Sequence, residues 1–191
     1  SAYHWFPGFL KKFKQENSNI DIQIMAGQRQ DVLSLLLDRH VDLFISAPNK
    51  TNSATKSLVL FKDQLVFICA PEHELANAES ISARDIEGQN FITFTKIPEP
   101  DQEFARLFRP ERRYPNWSAA VELPEAIVEM VAANQGTSIL AGWAIEPQVA
   151  AGRIRAIPLA PTPIVATWQV EFRADEPENR PVQRVARALQ D

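Results

Sequence analysis

The residues with the clearest chemical potential are the first four of the chain, Ser1, Ala2, Tyr3 and His4. They lead directly into a stretch with apolar residues at helical spacing, at Phe6, Phe9, Leu10 and Phe13. This spacing predicts an amphipathic helix over residues 4–15. The first turn of a helix leaves backbone N–H groups without partners, and its positive end favours negative charge. The opening segment is therefore a candidate seat for a small anion.

Residues that commonly carry catalysis are scattered along the chain. His4, His40 and His73 lie far apart, and none belongs to a cluster with metal-ligand spacing. The sequence contains neither a glycine-rich phosphate loop nor a Gly-x-Ser-x-Gly elbow. The single cysteine, Cys69, lies inside the apolar run 65–70, which predicts a small buried side chain rather than a reactive thiol. These observations predict a protein that is not an enzyme and that holds no metal and no cofactor.

The composition limits the partners of the chain. It has 191 residues, with 20 Lys and Arg against 24 Asp and Glu, and so a net charge of -4. Such a charge gives no general attraction to nucleic acid or to an anionic membrane. No stretch approaches the roughly 20 apolar residues that cross a bilayer. We expect a cytoplasmic protein, although a secreted protein that has lost its leader would have the same composition.

Helix and strand patterns alternate along the chain, which predicts an α/β architecture with a parallel sheet. After the opening helix we predict a strand at 20–24, a helix at 30–39 and a strand at 41–46, together forming a right-handed β-α-β unit. Further strands are predicted at residues 65–70, 90–95, 118–122, 137–140 and 164–172. Further helices are predicted at 81–86, 101–108, from Pro124, at 144–150 and at 182–189, with a loop at 158–163.

Two α/β units in series, followed by a β-α tail too small to form a domain, predict two lobes joined by two crossings of the chain. We place lobe I at residues 1–68 with 158–191, and lobe II at residues 69–157. In folds of this kind, ligands bind between the lobes, at the carboxyl ends of strands and against helix N-termini.

Several segments together resemble one known family. Residues 41–45 form an apolar strand with Asp42 in second place, and residues 65–76 read as a strand and turn that end on Leu75 and Ala76. The opening helix and the helix-strand pair over 127–140 add two further markers. In this order and spacing, the segments resemble the effector-binding domain of LysR-type transcriptional regulators.

The resemblance implies the bilobed type 2 periplasmic-binding-protein-like fold, with two Rossmann-like lobes joined by two crossover strands. It also implies that the family's first strand and its N-terminal winged helix-turn-helix lie outside these 191 residues. DNA would then be contacted only through that outside segment. The family usually pairs its effector domains side by side, through a helix and a strand of each lobe, so we expect a homodimer or a homotetramer.

A closer likeness is to the subfamily that controls methionine biosynthesis and uses homocysteine as co-effector. The stretches 3–5 and 143–146 look like its corresponding segments. Two departures from the family are Glu74, where proline is usual, and Ala141-Gly142, where a Leu-Pro pair is common. The second departure leaves the shape of the ligand wall near Trp143 open. The likeness implies a small amino acid or carboxylate as effector, with homocysteine as the specific candidate.

Carried over position by position, the resemblance places the effector against residues of both lobes. These are Ser1, Ala2, Tyr3, His4, Gly27, Gln28, Thr93, Thr95, Glu122, Leu123, Gly142 and Trp143. Backbone N–H groups and hydroxyls would hold a carboxylate. Glu122 would pair with an ammonium group, and Trp5 and Trp143 would supply apolar walls.

Each of these side chains also has a purely structural interpretation. Trp5 and Trp143 fit a core, because large aromatic side chains dominate cores. His4 fits a capping or solvent-exposed position, and Glu122 fits the first turn of the next helix, where negative charge is favourable. Threonine at 93 and 95 fits a strand by propensity alone.

Three classes of function stay open. The first is the ligand-sensing domain of a homo-oligomeric transcription factor. The second is a periplasmic solute receptor of the same fold, which a signal peptide before Ser1 would favour and a basic winged-helix segment would exclude. The third is an enzyme on this scaffold, like the porphyrin-forming deaminases, which depend on a cofactor-bearing cysteine. Cys69 lies in an apolar strand and is badly placed for that role.

Overall fold

A computed structural model of the chain describes residues 4–25, 32–47, 52–94 and 103–190. These residues divide into two compact units. One unit is Asp63–Ala166, and the other combines the described residues of 4–62 and 167–190. The lobe boundaries predicted from the sequence, after residue 68 and after residue 157, stay a prediction.

Helices and strands alternate along the described chain. The helices are α1 (Phe6–Glu16), α2 (Val32–Leu37), α3 (Ala83–Ile86), α4 (Arg109–Glu111), α5 (Pro124–Ala132), α6 (Gly142–Ala150) and α7 (Pro181–Ala188), with a π-helical segment, Phe104–Phe108, directly before α4. The strands are β1 (Leu43–Ser46), β2 (Thr55–Cys69), β3 (Asn90–Thr93), β4 (Asn116–Ala120), β5 (Ser138–Ala141), β6 (Arg155–Pro158) and β7 (Ile164–Arg173). Strands β2 and β7 each run from one unit into the other.

The sheet of the unit Asp63–Ala166 is mixed. Strands β3 and β4 run parallel, and Phe91 of β3 forms a parallel bridge to Thr137, just before β5. The carboxyl-terminal part of β2 pairs antiparallel with both β5 and β6. The predicted parallel sheet is therefore found only in part, because β2 runs antiparallel to β5 and β6.

The apolar residues of β2 face the two sides of this sheet alternately. Phe67 and Cys69 belong to one buried cluster, which also contains Phe108. Ile68 belongs to a second cluster, together with Ile127 of α5. Burial on both faces explains the continuous apolar run over 65–70, since a strand covered on both sides has no polar face. The predicted buried strand is confirmed.

The other unit is built on β1, β7 and the helices α1 and α7. Strand β1 pairs antiparallel with β7, so that Leu43 lies opposite Phe172. Phe13 is the buried residue of α1, and it packs in one cluster with Val185 of α7. The amphipathic helix predicted at the start of the chain is confirmed.

Some predicted elements differ from the structure. Residues 20–25 form no strand with any part of the chain that the structure describes. Ile20 is buried against Phe13 and Val185, whereas Ile24 is 48% exposed, so hydrophobic packing accounts for only part of the alternating pattern. Because residues 20–24 form no strand, the described residues form no β-α-β unit at this point.

Three further elements were missed or assigned another type. Strand β2 begins at Thr55, well before the apolar run that signalled it. Strand β6 was not predicted, although it ends at Pro158, where the predicted loop begins. The helix predicted over 101–108 is a π-helical segment that continues into α4, and residues 101 and 102 lie outside the described ranges.

Candidate functional site

Six of the predicted effector residues lie in the described part of the chain: His4, Thr93, Glu122, Leu123, Gly142 and Trp143. The others lie outside it: Ser1, Ala2, Tyr3, Gly27, Gln28 and Thr95. Of the six described residues, His4 belongs to the unit of residues 4–62 and 167–190, and the remainder belong to Asp63–Ala166. We call that remainder the carboxyl edge, defined as Thr93, Glu122, Leu123, Gly142 and Trp143.

The topology of the sheet brings the carboxyl edge together. Strands β3, β4 and β5 run in the same direction, so their carboxyl ends lie at one edge of the sheet. Thr93 ends β3, and its carbonyl oxygen accepts a hydrogen bond of 2.9 Å from the backbone N–H of Val121. Glu122 and Leu123 follow Val121 and lead into α5, while Gly142 begins α6 directly after β5.

Strand β3 is fixed from its other side by β5. The backbone N–H of Ile92 donates to the carbonyl oxygen of Thr137 at 2.8 Å, and the hydroxyl of Ser138 donates to the carbonyl of Ile92 at 2.7 Å. Thr137 and Ser138 are both buried. Hydrogen bonds on both sides of β3 therefore fix the strand at Ile92 and Thr93.

The residues of the carboxyl edge differ in exposure. Thr93 is only 8% exposed, whereas Leu123 is 56% exposed and Glu122 is also exposed. Leu123 is the N-cap residue of α5 and makes no side-chain cap. Glu122 lies one residue before this cap, so its interpretation as a first-turn residue is wrong, and Glu125 occupies the first turn instead. The edge thus presents an exposed carboxylate beside the start of a helix.

Helix α6 begins at the same edge and takes its cap from another part of the chain. Its N-cap residue is Ala141, which has no side-chain acceptor, and no acidic residue lies in its first turn. The Asp63 carboxylate fills this role, because its Oδ2 accepts a hydrogen bond of 3.2 Å from the backbone N–H of Trp143. Asp63 is thus a functional candidate that the sequence alone did not identify.

The antiparallel register explains why Asp63 reaches α6. Leu65 of β2 lies opposite Ala141 of β5. Continuing this register by two residues sets Asp63 opposite Trp143. A signal in the sequence is the polar group Lys62-Asp63-Gln64 directly before the apolar run, but the predicted strand begins only at residue 65.

Gly142 is the residue that lets the Asp63 carboxylate approach. A Cβ at this position would lie 3.2 Å from Asp63 Oδ1 and 3.4 Å from the carbonyl oxygen of Gln64. The first contact is tighter than ordinary van der Waals packing. A side chain at this position would therefore push the carboxylate away from the helix.

The start of α1 is the other part of the predicted site. Trp5 is the N-cap residue and gives no side-chain cap. Its half-buried ring meets Phe6 edge-on at 6.0 Å and Phe9 at 6.1 Å between ring centroids. Trp5 therefore packs on its own helix, and the neighbouring His4 is exposed.

The family marker Asp42 has a partner in the same unit. The guanidinium of Arg173 on β7 lies 3.1 Å from Asp42 Oδ1 and 2.9 Å from Glu176 Oε2. Burial lowers the pKa of Arg173, but the hydrogen bonds to Asp42 and Glu176 outweigh burial and raise that pKa above its ordinary value. This network ties the start of β1 to the end of β7.

Two further candidates for chemistry are the thiol of Cys69 and any cluster of metal-binding side chains. Cys69 is fully buried, and burial raises the pKa of its thiol to about 11, so the thiol is protonated at neutral pH. Across the described ranges, no group of three or more His, Cys, Asp or Glu side chains is placed to hold a metal ion. None of the helices in those ranges is long and apolar enough to span a membrane.

Comparison with solved structures defines the fold. The regulatory domain of MetR, a LysR family regulator from N. meningitidis, matches 98% of this chain and 87% of that chain, with a TM-score of 0.76 and 22% identity. The regulatory domain of Synechocystis CcmR, solved in complex with 2-PG, matches 99% of this chain and 91% of that chain, with a TM-score of 0.86 and 19% identity. The chain has the type 2 periplasmic-binding-protein-like fold of LysR regulatory domains.

Comparison with sequence families defines the membership. The chain matches the LysR substrate binding domain over residues 1–191 and belongs to that family, which confirms the resemblance seen in the sequence. Among curated relatives, the transcriptional regulator MetR of Haemophilus influenzae is 23% identical over 154 residues, or 81% of this chain and 50% of that protein. The chain thus spans about half the length of the curated relatives it matches.

Proposed function

We propose that this chain is the effector-sensing domain of a LysR-type transcriptional regulator and that a small amino acid or carboxylate is its effector. The family match over the whole chain carries the proposal. Its curated relatives are transcriptional regulators, which favours a sensor over a solute receptor or an enzyme. In the full-length protein, a winged helix-turn-helix outside these residues contacts DNA, and the protein works in the cytoplasm.

Homocysteine is our specific candidate for the effector. The likeness to MetR proteins in both sequence and structure supports it. Fold alone does not define a ligand, so the identity of the effector rests on the residues that line its site. We assign the carboxyl edge to that site, together with the predicted residues 1–4, 27, 28 and 95.

The chemistry of the carboxyl edge suits an amino acid. Glu122 is exposed and provides a carboxylate for an ammonium group. Backbone N–H groups at the start of α5 and the Thr93 hydroxyl provide donors, and Trp143 provides an apolar wall for a short thiol side chain. The effector acts on transcription by binding one conformation of the domain better than another.

We also propose that the domain forms a homodimer. Strand β4 pairs only with β3 among the described strands, so its other edge is open to pairing. Near this edge, Trp117 is 43% exposed and Tyr114 is 42% exposed. Large exposed aromatic side chains are enriched at protein interfaces, so these observations support an interface that includes β4.

Isothermal titration calorimetry with L-homocysteine tests the proposed effector. L-methionine, L-cysteine and O-acetylserine serve as comparison ligands. We expect saturable heat with homocysteine that is lost in Thr93→Val and kept in the control Thr162→Val, which changes an exposed threonine. Saturable heat with a different amino acid and none with homocysteine would keep the sensor and exclude homocysteine. Absence of heat with all four ligands would contradict the proposed effector.

A further inference from the structure

We infer that Asp63 is a specificity-determining residue of this domain, because its carboxylate closes the N-terminus of α6 to anionic groups of an effector. This inference deepens the proposed function and rests on it only where an effector is concerned. The position of Asp63 at the helix end is a property of the chain itself.

Without Asp63, the start of α6 would attract an anion. The helix is nine residues long, its N-cap Ala141 has no side-chain oxygen, and its first turn has no acidic residue. Backbone N–H groups at such an end point outwards and carry partial positive charge. The start of α6 also lies at the sheet edge where this fold class binds ligands.

Asp63 already occupies this position. Asp63 Oδ2 accepts a hydrogen bond of 3.2 Å from the backbone N–H of Trp143. A Cβ on residue 142 would lie 3.2 Å from Asp63 Oδ1. The glycine at 142 therefore leaves room for the carboxylate over the helix end. The pairing of β2 with β5 holds Asp63 in place. Leu65, two residues after Asp63, is paired with Ala141, two residues before Trp143.

A second anion cannot share the helix end with Asp63. Two carboxylates at close range repel, and each would compete for the same backbone N–H group. A group of an effector that approaches Gly142 and Trp143 is therefore cationic or a neutral hydrogen-bond donor. For an amino acid, the carboxylate of the effector therefore binds away from the start of α6.

The test is an NMR titration of the whole domain with inorganic phosphate, followed at the backbone amide of Trp143. In the unaltered protein we expect the chemical shift of this amide to stay unchanged up to millimolar phosphate. In Asp63→Ala we expect a saturable shift of the Trp143 amide and its neighbours at the start of α6. Glu129→Gln removes one negative charge from an exposed position of the same unit and serves as the matched control, with no shift expected at Trp143.

Two results would overturn the inference. One is a saturable phosphate shift of Trp143 in the unaltered protein, and the other is a folded Asp63→Ala variant that shows no such shift. If Asp63→Ala does not fold, Asp63→Val removes the carboxylate and any acceptor for the Trp143 N–H while suiting the strand β2, and the same two readings apply. Because phosphate replaces the effector as the probe, this outcome is independent of whether homocysteine binds.

Discussion

The guanidinium of Arg173 and the carboxylate of Glu176 meet at 2.9 Å, and their side chains are only 6% and 8% exposed. Arg173 also donates to the carbonyl oxygens of Leu36 at 3.0 Å and Val41 at 2.9 Å. One side chain thus contacts a carbonyl group at the end of α2, a carbonyl group two residues before β1 and a buried acid beyond β7. Its second ionic partner, Asp42, is 72% exposed.

Replacing Arg173 is expected to destabilise the domain far more than replacing Asp42. Arg173→Met leaves the Glu176 carboxylate buried without its cation, which costs about 3–5 kcal/mol in the free energy of unfolding. Asp42→Asn removes a mostly exposed partner and costs less than about 1 kcal/mol. Urea unfolding at pH 7 measures both values. Equal losses in the two variants would show that the buried pair is not the stabilising element.

Much of the fold could be predicted because hydrophobic periodicity reports which face of an element is buried. The pattern of Val182, Val185, Ala186 and Leu189 predicted α7, and Val182, Val185 and Ala186 are buried in the structure. Pro124 correctly marked the start of α5, because proline suits the first helical turn. The order of such elements was also enough to identify the family.

Elements without a strong apolar pattern were harder to predict. Residues 55–64 belong to β2, but their apolar run at residues 58–61 is short, and every position in the segment is half-buried or exposed, so the pattern does not mark a buried strand. The direction of strand pairing is set by the path of the chain between units, which no local pattern reports. Asp63 was missed for the same reason, since its partner Trp143 is 80 residues away in sequence.

Two glycines give opposite expectations for substitution by alanine. At Gly136, a Cβ would lie 2.9 Å from the carbonyl oxygen of Asn90 and 3.2 Å from Ile92 Cγ1, so Gly136→Ala pushes on β3. We expect a loss of about 1–3 kcal/mol. Gly8 lies in α1 with nothing within 4 Å of such a Cβ, and there Gly8→Ala gains about 0.5–1 kcal/mol.

Thermal unfolding of both glycine variants checks this contrast. The same substitution is made in each, so a general effect of alanine cannot produce changes of opposite sign. A stabilised Gly136→Ala variant would contradict the close packing of this turn against β3.

The Asp85 carboxylate is expected to give α3 a stability that depends on pH. Its Oδ2 accepts hydrogen bonds from the Ser82 hydroxyl at 2.6 Å and the Ser82 backbone N–H at 2.8 Å, and these hold the pKa of Asp85 below its usual range. A lowered pKa in the folded state means that the stabilisation is complete above the unfolded value of about 3.9 and is lost as the pH falls below it.

Because solvent screens this exposed carboxylate, Asp85→Asn should cost less than about 1 kcal/mol at pH 7 and progressively less below about pH 4. Urea unfolding at pH 7, 5 and 3 measures the difference from the unaltered protein. Glu79→Gln, at an exposed position nearby, is the charge control. A difference that stays constant over this pH range would show that the Asp85 hydrogen bonds do not depend on its charge.

Cys69 is expected to be inert in the folded protein. Burial raises the pKa of its thiol to about 11, so little thiolate is present at pH 8 and the reagent has no access. Ellman's reagent should leave the native domain unlabelled and react fully after unfolding in urea. Rapid labelling of the native domain would contradict the burial of this strand.

Trp117 is expected to control the association of two chains. A charged side chain at this exposed aromatic position on β4 disfavours burial in an interface, because an unpaired charge loses its hydration there. Trp117→Lys should therefore convert the proposed homodimer to a monomer in light scattering coupled to size-exclusion chromatography. Val59→Lys alters a residue of β2 that is 53% exposed and should leave the dimer intact. If Trp117→Lys remains dimeric while keeping its native circular dichroism spectrum, the interface lies away from β4.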